Sequence, residues 1–207
     1  MKIAVFVSGG GTNLQAIIDN TKDGILKDIE IVLVLSSSKN AYALERAANN
    51  GIKSVVVSKK DFDSIDEWDE AVVKAVDESG AELIVLAGYL SLMGPKVVAK
   101  YSNRIINIHP SLIPSFCGEG MYGIKPHKAA LARGVKVSGA TVHFVNENYD
   151  DGPILLQKSV DVLPDDTPEV LQKRIMEECE WKILPKAIRL IADGKVTIEN
   201  NIAYVRE

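Results

Sequence analysis

The chain has 207 residues, of which 46% are hydrophobic and 25% charged, and a formal net charge of -4. That composition belongs to a folded globular protein of about one α/β domain and excludes intrinsic disorder. No block of like charges runs five residues or more, so neither nucleic acid nor an anionic membrane is expected as the main partner.

Residues 3–7, Ile-Ala-Val-Phe-Val, form an apolar run too short for a signal peptide and flow straight into a glycine turn, which predicts a first strand. Residues 12–20 predict a helix with Leu14, Ile17 and Ile18 on one face. Residues 31–35 predict a second strand, 41–50 a helix stopped by Gly51, and 54–57 a short strand. Residues 63–79 predict an amphipathic helix closed by Gly80, followed by a strand at 83–86, a helix at 95–101 and a strand at 105–109. Uniformly apolar strands alternating with helices predict a parallel sheet buried on both faces. Right-handed crossovers then give an open, doubly wound sheet, whose ligands bind at the carboxyl ends of the strands where strand order reverses.

The second half has a different character. Residues 116–125 hold three glycines and predict a mobile loop; 135–145 and 153–160 predict longer strands around a polar loop at 146–152. Residues 167–192 predict a long helix opened by Thr167-Pro168 and broken or kinked at Pro185. Residues 196–198 and 202–205 around Asn200-Asn201 predict a small hairpin. The whole is expected to be one α/β domain over residues 1–207, Rossmann-like, with a mainly parallel sheet and antiparallel strands in its second half. No apolar stretch reaches membrane-spanning length. Cys117 and Cys179 fit no metal or redox spacing, which suits reduced thiols in the cytoplasm.

Three motifs carry chemistry. Ser8-Gly9-Gly10-Gly11-Thr12-Asn13-Leu14 joins the first strand to the first helix. Glycines permit close approach of a ligand, and a helix start offers unpaired N–H groups to a phosphate. Leu14 stands where a dinucleotide fingerprint needs its third glycine, and no P-loop lysine follows; a plain glycine turn with Thr12 or Asn13 capping the helix is the bland alternative. Asn107-Ile108-His109-Pro110-Ser111 closes the strand at 105–109. Alternation puts Asn107 and His109 on one side, where both can donate to a developing oxyanion. The alternative is a strand-end turn before Pro110. Asp150-Asp151-Gly152-Pro153 reads first as plain turn chemistry; the functional alternative is a carboxylate facing His109 that holds it protonated or collects a proton through water. His143 is expected to be a satisfied core residue, and His127 and Cys117 carry no catalytic signature; the three histidines make no metal motif.

Taken together, residues 8–17, 85–89, 107–114 and 150–154 resemble the folate-dependent formyltransferases, and within them the glycinamide ribonucleotide branch. The resemblance spans nearly the whole chain. It implies Asn107, His109 and Asp150 as catalytic residues, Gly11, Thr12 and Asn13 at the substrate phosphate, and Glu180 at the glycinamide end. It implies a folate pocket from Leu90, Ser91, Leu92 and Met93 with Asn146, Glu147, Asn148, Tyr149, Asp150 and Asn107. The N-terminal half would bind the phosphoribosyl group and the C-terminal half would complete the folate site. The co-substrate would be 10-formyltetrahydrofolate, without a metal, in a cytoplasmic monomer or homodimer of de novo purine synthesis. Ser91 and Ile65 stand where many relatives carry basic residues, leaving Lys59 or Lys60 as candidates for a charge toward the folate tail; Trp181 replaces a common histidine.

The mechanism implied is attack of the substrate amine on the formyl carbon, with the oxyanion held by Asn107 and protonated His109, and Asp150 serving the proton. Hydrolysis of the same formyl donor, as in formyltetrahydrofolate deformylases, is the nearest alternative, although that branch usually carries an extra N-terminal domain. A non-catalytic phosphate-binding module would explain the glycine loop but leaves Asn107, His109 and Asp150 without a common purpose. A nicotinamide oxidoreductase is disfavoured because Ser36-Ser37-Ser38-Lys39 follows strand two in place of an acidic residue.

Overall fold

Ile3, Ala4, Val5, Phe6 and Val7 are completely shielded from solvent, and since successive side chains point to opposite faces, both faces of their strand are covered. Strand β1 (Lys2–Val7) pairs in parallel with β2 (Glu30–Ser36), from Lys2 opposite Glu30 to Val7 opposite Ser36. On its other edge it pairs in parallel with β4 (Leu83–Leu86), from Ile3 opposite Leu83 to Phe6 opposite Leu86. β3 (Ser54–Val56) extends β2, again in parallel. A strand covered on both faces has no polar side to alternate with, which is why these segments read as unbroken apolar runs.

The computed structural model describes residues 1–22 and 24–206. The chain divides into two compact units, Met1–Ile106 and Asn107–Glu207. The first contains α1 (Thr12–Lys22), α2 (Ala43–Asn49), α3 (Ile65–Ser79) and α4 (Pro95–Lys100), and a 3₁₀ turn at Lys59–Asp61 that the sequence pattern does not signal. β5 (Ile105–His109) straddles the boundary. The second contains α5 (Lys125–Arg133), β6 (Val137–Phe144), β7 (Ile154–Asp161), α6 (Pro168–Ile175) and α7 (Trp181–Ala192). It ends in a hairpin of β8 (Val196–Glu199) and β9 (Ile202–Val205). The seven-stranded sheet has the order β3-β2-β1-β4-β5-β6-β7. β6 and β7 are antiparallel, with an irregularity between Val142 and His143. The open, mainly parallel sheet with antiparallel strands in the second half is therefore as the sequence predicts.

Local chemistry sets the element ends. Ser64 Oγ caps α3 by accepting from Glu67 N, and Glu67 reaches back to Asp63 N, in the manner of a capping box. Gly80 closes the helix in the left-handed conformation at φ 69°. Asn200 and Asn201, both at positive φ, make the β8–β9 turn, as asparagine pairs can. The break expected at Pro185 is displaced. Pro185 sits inside an uninterrupted α7, and the irregularity is a π turn at Met176–Glu180, immediately upstream. Pro185 falls early in the α segment that restarts at Trp181, so it costs one backbone donor without ending the helix. Among the described residues no helix is long and apolar enough to cross a membrane.

α4 lacks a capping side chain of its own, since Gly94 is its N-cap. The carboxylate of Asp69, which is 1% exposed in α3, fills that role by accepting from Lys96 N at 2.6 Å and Val97 N at 3.2 Å. Gly94 is required because a Cβ there would collide with that same carboxylate. Losing a cap costs ~1–2 kcal/mol, and two N–H groups depend on this one. Asp69→Ala is expected to lower the melting temperature by roughly 2–8 °C, measurable by circular dichroism; a change under one degree would show that α4 needs no acceptor from α3.

Candidate active site

β5 ends with Asn107 and His109 on the same side, as strand alternation requires. Asp150 comes from the loop between β6 and β7, and the three side chains meet. Asn107 Nδ2 lies 3.5 Å from Asp150 Oδ1, and His109 Nδ1 lies 3.5 Å from Asp150 Oδ2. The backbone N–H of Gly118 donates to Asp150 Oδ2 at 2.8 Å. Asp150 adopts φ 51°, a left-handed conformation that Asp tolerates better than most residues. Gly152, two residues on, presses against the Phe144 carbonyl and leaves no room for a Cβ. The Asp-Asp-Gly sequence thus satisfies turn chemistry and delivers a carboxylate at the same time.

The charges are set by burial against contact. Burial pushes the Asp150 carboxyl upward, but contact with His143, the charge of His109 and the Gly118 N–H outweigh it and hold Asp150 below the usual carboxylate range. For His109 the balance runs the other way. Burial lowers it, and the pull of Asp150 and the Phe116 carbonyl does not make up the difference. The expectation that Asp150 keeps His109 protonated in the resting site is therefore corrected: at neutral pH the pair is a carboxylate beside a neutral imidazole. His109 Nε2–H donates to Phe116 O at 3.0 Å, so the neutral ring still carries a proton on the nitrogen that can serve as a donor.

Main-chain groups and two further histidines border the cluster; the sequence carries no signal for the main-chain groups, while His143 is the satisfied buried residue expected and His127 opens a helix as expected. Phe116 presents its carbonyl from φ 53°, an uncommon conformation for a bulky residue. The turn before it is fixed by Thr141 Oγ1, which donates to Ser111 O and accepts from Ile113 N and Gln157 Nε2. His143, 2% exposed on β6, sets its Nε2 3.1 Å from Asn107 Nδ2 and 3.5 Å from Asp150 Oδ1. Strand alternation from Thr141 to His143 was the available signal. His127, in the first turn of α5, is wholly buried, and neither ring nitrogen has a hydrogen-bond partner among the described residues. Burial and the nearby His109 push it down to about 4.

The remaining candidates are distributed as follows. In the first unit the glycine loop is tied by its carbonyls: Gly9 O accepts from Ala43 N at 3.1 Å, Gly10 O from Arg46 Nε at 2.9 Å and Gly11 O from Gln15 N at 2.9 Å. In a trans peptide the next N–H points opposite each carbonyl, so Gly10, Gly11 and Thr12 turn theirs away from those donors, as an anion nest does. Gly11 is at φ 70°, and a Cβ there would come within 2.6 Å of Ala43 Cβ. The segment holding Leu90, Ser91, Leu92 and Met93 is pinned by Leu90 N donating to Ser8 Oγ and by Lys59 Nζ donating to Leu92 O at 3.0 Å. Lys59 also lies over the Trp68 ring, so its ammonium is committed to this segment, while Ile65 is 66% exposed. In the second unit Asn146, Glu147, Asn148 and Tyr149 form the approach to Asp150, with Asn148 N bonded to Asn146 Oδ1 and Asn148 Nδ2 to Asp151 Oδ2. Glu180 is buried at the end of the π turn, a feature frequent at functional sites.

With this geometry in hand, comparison with known proteins is decisive. Residues 1–188 match the formyl transferase family model. The chain belongs to the formyl transferase family. It is 38% identical over 204 residues to phosphoribosylglycinamide formyltransferase of Haemophilus influenzae, covering 99% of this chain and 93% of that one. It is 41% identical to the chloroplastic phosphoribosylglycinamide formyltransferase of Arabidopsis thaliana, spanning 94% of this chain but 66% of that protein. The crystal structure of glycinamide ribonucleotide transformylase 1 from Symbiobacterium toebii superposes with a TM-score of 0.94 at 40% identity, over 100% of this chain and 94% of that one. A family of formyl transferases uses a folate-derived formyl donor, which accords with the apolar side chains left exposed at Leu90 and Leu92.

His127 makes stability depend on pH. The unfolded chain takes its proton near 6.5 and the folded one only near 4, so between those values the unfolded state binds more protons. Stability then falls as pH drops from about 6.5 to about 4. His127→Leu is expected to lose ~3 kcal/mol less than the wild type over that interval, read from urea unfolding at pH 7 and pH 4. Equal losses would mean the ring is not held neutral by the fold.

Proposed function

We propose that this protein transfers the formyl group of 10-formyltetrahydrofolate to the amine of glycinamide ribonucleotide, giving formylglycinamide ribonucleotide and tetrahydrofolate. The observation that carries the reading is the convergence of Asn107 and His109, two donors on one strand end, upon the ionised carboxylate of Asp150. Acyl transfer to an amine needs two things at one place: donors for a developing oxyanion and an acceptor for the proton the amine must lose. The relatives named for this reaction, at 38% and 41% identity, support the substrate pair.

In this reading the amine attacks the formyl carbon and negative charge grows on the formyl oxygen. Asn107 Nδ2–H and His109 Nε2–H take that oxygen, His109 releasing the Phe116 carbonyl to do so. The new negative charge adds to that of Asp150, so the proton shed by the attacking nitrogen can rest on the His109–Asp150 pair, as the imidazolium that burial disfavours in the resting site, until it passes to the leaving nitrogen. Asp150 accepts the proton of the attacking nitrogen through water and returns it to the folate nitrogen that leaves. No covalent enzyme intermediate is formed. In the first unit the nest of Gly10, Gly11 and Thr12 suits the phosphate, with Asn13 beside it, and the segment 90–93 suits the folate; in the second unit the segment 146–150 suits the folate and Glu180 the amine end of the ribonucleotide.

Hydrolysis of the donor is the second reading, because the same donors and carboxylate would serve water. A formyltetrahydrofolate deformylase from Pseudomonas syringae superposes with a TM-score of 0.87, but at 27% identity, below the transferases. Absorbance-monitored turnover of the 10-formyl folate decides between them: release of tetrahydrofolate is expected only when glycinamide ribonucleotide is present. Asn107→Ala, His109→Ala and Asp150→Ala are each expected to lower kcat by ~100- to 1000-fold. Release without the ribonucleotide would establish the hydrolase, and variants with wild-type rates would remove the cluster from the chemistry.

A further inference from the structure

His143 lies outside the set of three, yet it touches Asn107 more closely than Asp150 does. Its two ring nitrogens have different neighbours. Nδ1 lies 2.8 Å from the Phe144 carbonyl oxygen, which can only accept, so Nδ1 carries a proton. Nε2 lies 3.1 Å from Asn107 Nδ2, which can only donate. A proton on Nε2 would set two donors against each other at that distance; a bare Nε2 makes the contact a hydrogen bond. The more distant Asp150 Oδ1, at 3.5 Å, offers a poor alternative acceptor.

We infer that His143 is a positioning residue: as the neutral Nδ1–H tautomer it accepts one N–H of Asn107 and thereby fixes which end of the Asn107 amide faces the reacting atoms. The inference rests on the role proposed for Asn107 above. An amide at the end of a side chain can turn over, exchanging donor for acceptor. Turned over, Asn107 would present a carbonyl oxygen to a growing oxyanion and repel it. Nε2 of His143 and Oδ1 of Asp150 both demand the NH₂ end on the same side. One N–H is then satisfied by His143, and the other, which meets Asp150 only at 3.5 Å, is the one available to the oxyanion. The backbone enforces the tautomer, because Phe144 O is the carbonyl of the next residue in β6 and moves with His143. At 2% exposure the ring is shielded from bulk solvent.

The test has a spectroscopic and a kinetic arm. The protein has three histidines, so long-range ¹H–¹⁵N correlation spectra of ¹⁵N-histidine-labelled wild-type protein can be assigned with His127→Leu and His143→Gln. The expected result for His143 at pH 7.5 is a protonated Nδ1 and an unprotonated Nε2. A protonated Nε2, alone or with Nδ1, overturns the inference. In steady-state kinetics His143→Gln, whose amide oxygen can take the place of Nε2 as acceptor, is expected to stay within about tenfold of the wild-type kcat. His143→Asn, which keeps only the donor toward Phe144, and His143→Leu, which keeps neither, are expected to lose ~100-fold or more in kcat, with KM for both substrates within about threefold. Equal losses in the Gln and Asn variants, or a wild-type rate in His143→Leu, overturn it; if a variant fails to fold, the wild-type spectrum decides alone. Should Asn107→Ala itself turn over normally, the proposed function fails while the tautomer of His143 still stands or falls on the spectrum.

Discussion

The site depends on one buried negative charge. Asp150 has its oxygens turned toward Asn107, His109, His143 and the Gly118 N–H, and of these the Gly118 N–H, with the Asn107 amide behind it, donates to the carboxylate in the resting site. Each of these groups takes part of its orientation from the carboxylate. Asn107 turns its NH₂ end to it, Gly118 fixes the start of the 118–123 segment by bonding to it, and His109 faces it through Nδ1. A loop residue is therefore the centre around which strand residues are arranged, and the left-handed backbone at Asp150, with Gly152 packed on Phe144, brings it there.

Histidine is the group whose state the fold has to decide, and the three rings are settled in three ways. His109 is lowered by burial but keeps its Nε2 proton through the Phe116 carbonyl. His143 has its Nδ1 proton fixed by Phe144 O. His127 has neither a donor nor an acceptor to meet among the described residues and is made neutral by burial alone, helped by the proximity of His109. If His109 and His127 were both charged, the two cations would repel each other in a poorly screened interior. Keeping His127 neutral removes that repulsion, so in the mechanism proposed above a residue with no hydrogen-bond partner among the described residues makes a charge on His109 less costly.

What the sequence made legible, and what it did not, follows from where each signal lives. The sheet was legible because continuous apolar strands flanked by helices have few other uses, and the pairing of Asn107 with His109 follows from a period of two in β5. Asp150 was legible both as a turn residue and as a carboxylate for His109, and the resemblance is what favoured the second reading. The Phe116 carbonyl and the Gly118 N–H were not legible, because a backbone group is present at every residue and its direction depends on φ and ψ. The glycines at 118, 120 and 123 did mark the segment as unusual, and each has positive φ. The sign of the shift at His109 was missed since sequence names the neighbouring charge but not the depth of burial, and burial outweighs the charge. Pro185 was misjudged because the irregularity falls upstream, at the π turn of residues 176–180, and the α segment that restarts at Trp181 accommodates the proline near its beginning.

The two proposed binding elements are constrained in opposite ways. The glycine loop works through main-chain N–H groups, so its specificity lies in where carbonyls are tied down. Gly11 tolerates no side chain against Ala43, and Arg46 contributes by holding the Gly10 carbonyl whatever ligand is present. The cluster at Asp150 works through side chains whose hydrogen-bond polarity can reverse, by an amide turning over or an imidazole exchanging tautomers. Packing alone cannot prevent such a reversal, because the two ends of an amide are almost the same size. Only fixed acceptors can, and the structure supplies them as backbone carbonyls at Phe116 and Phe144. The polarity of the side chains that would meet the oxyanion is thus referred to the main chain, which cannot reverse without unfolding the strand or turn that carries it.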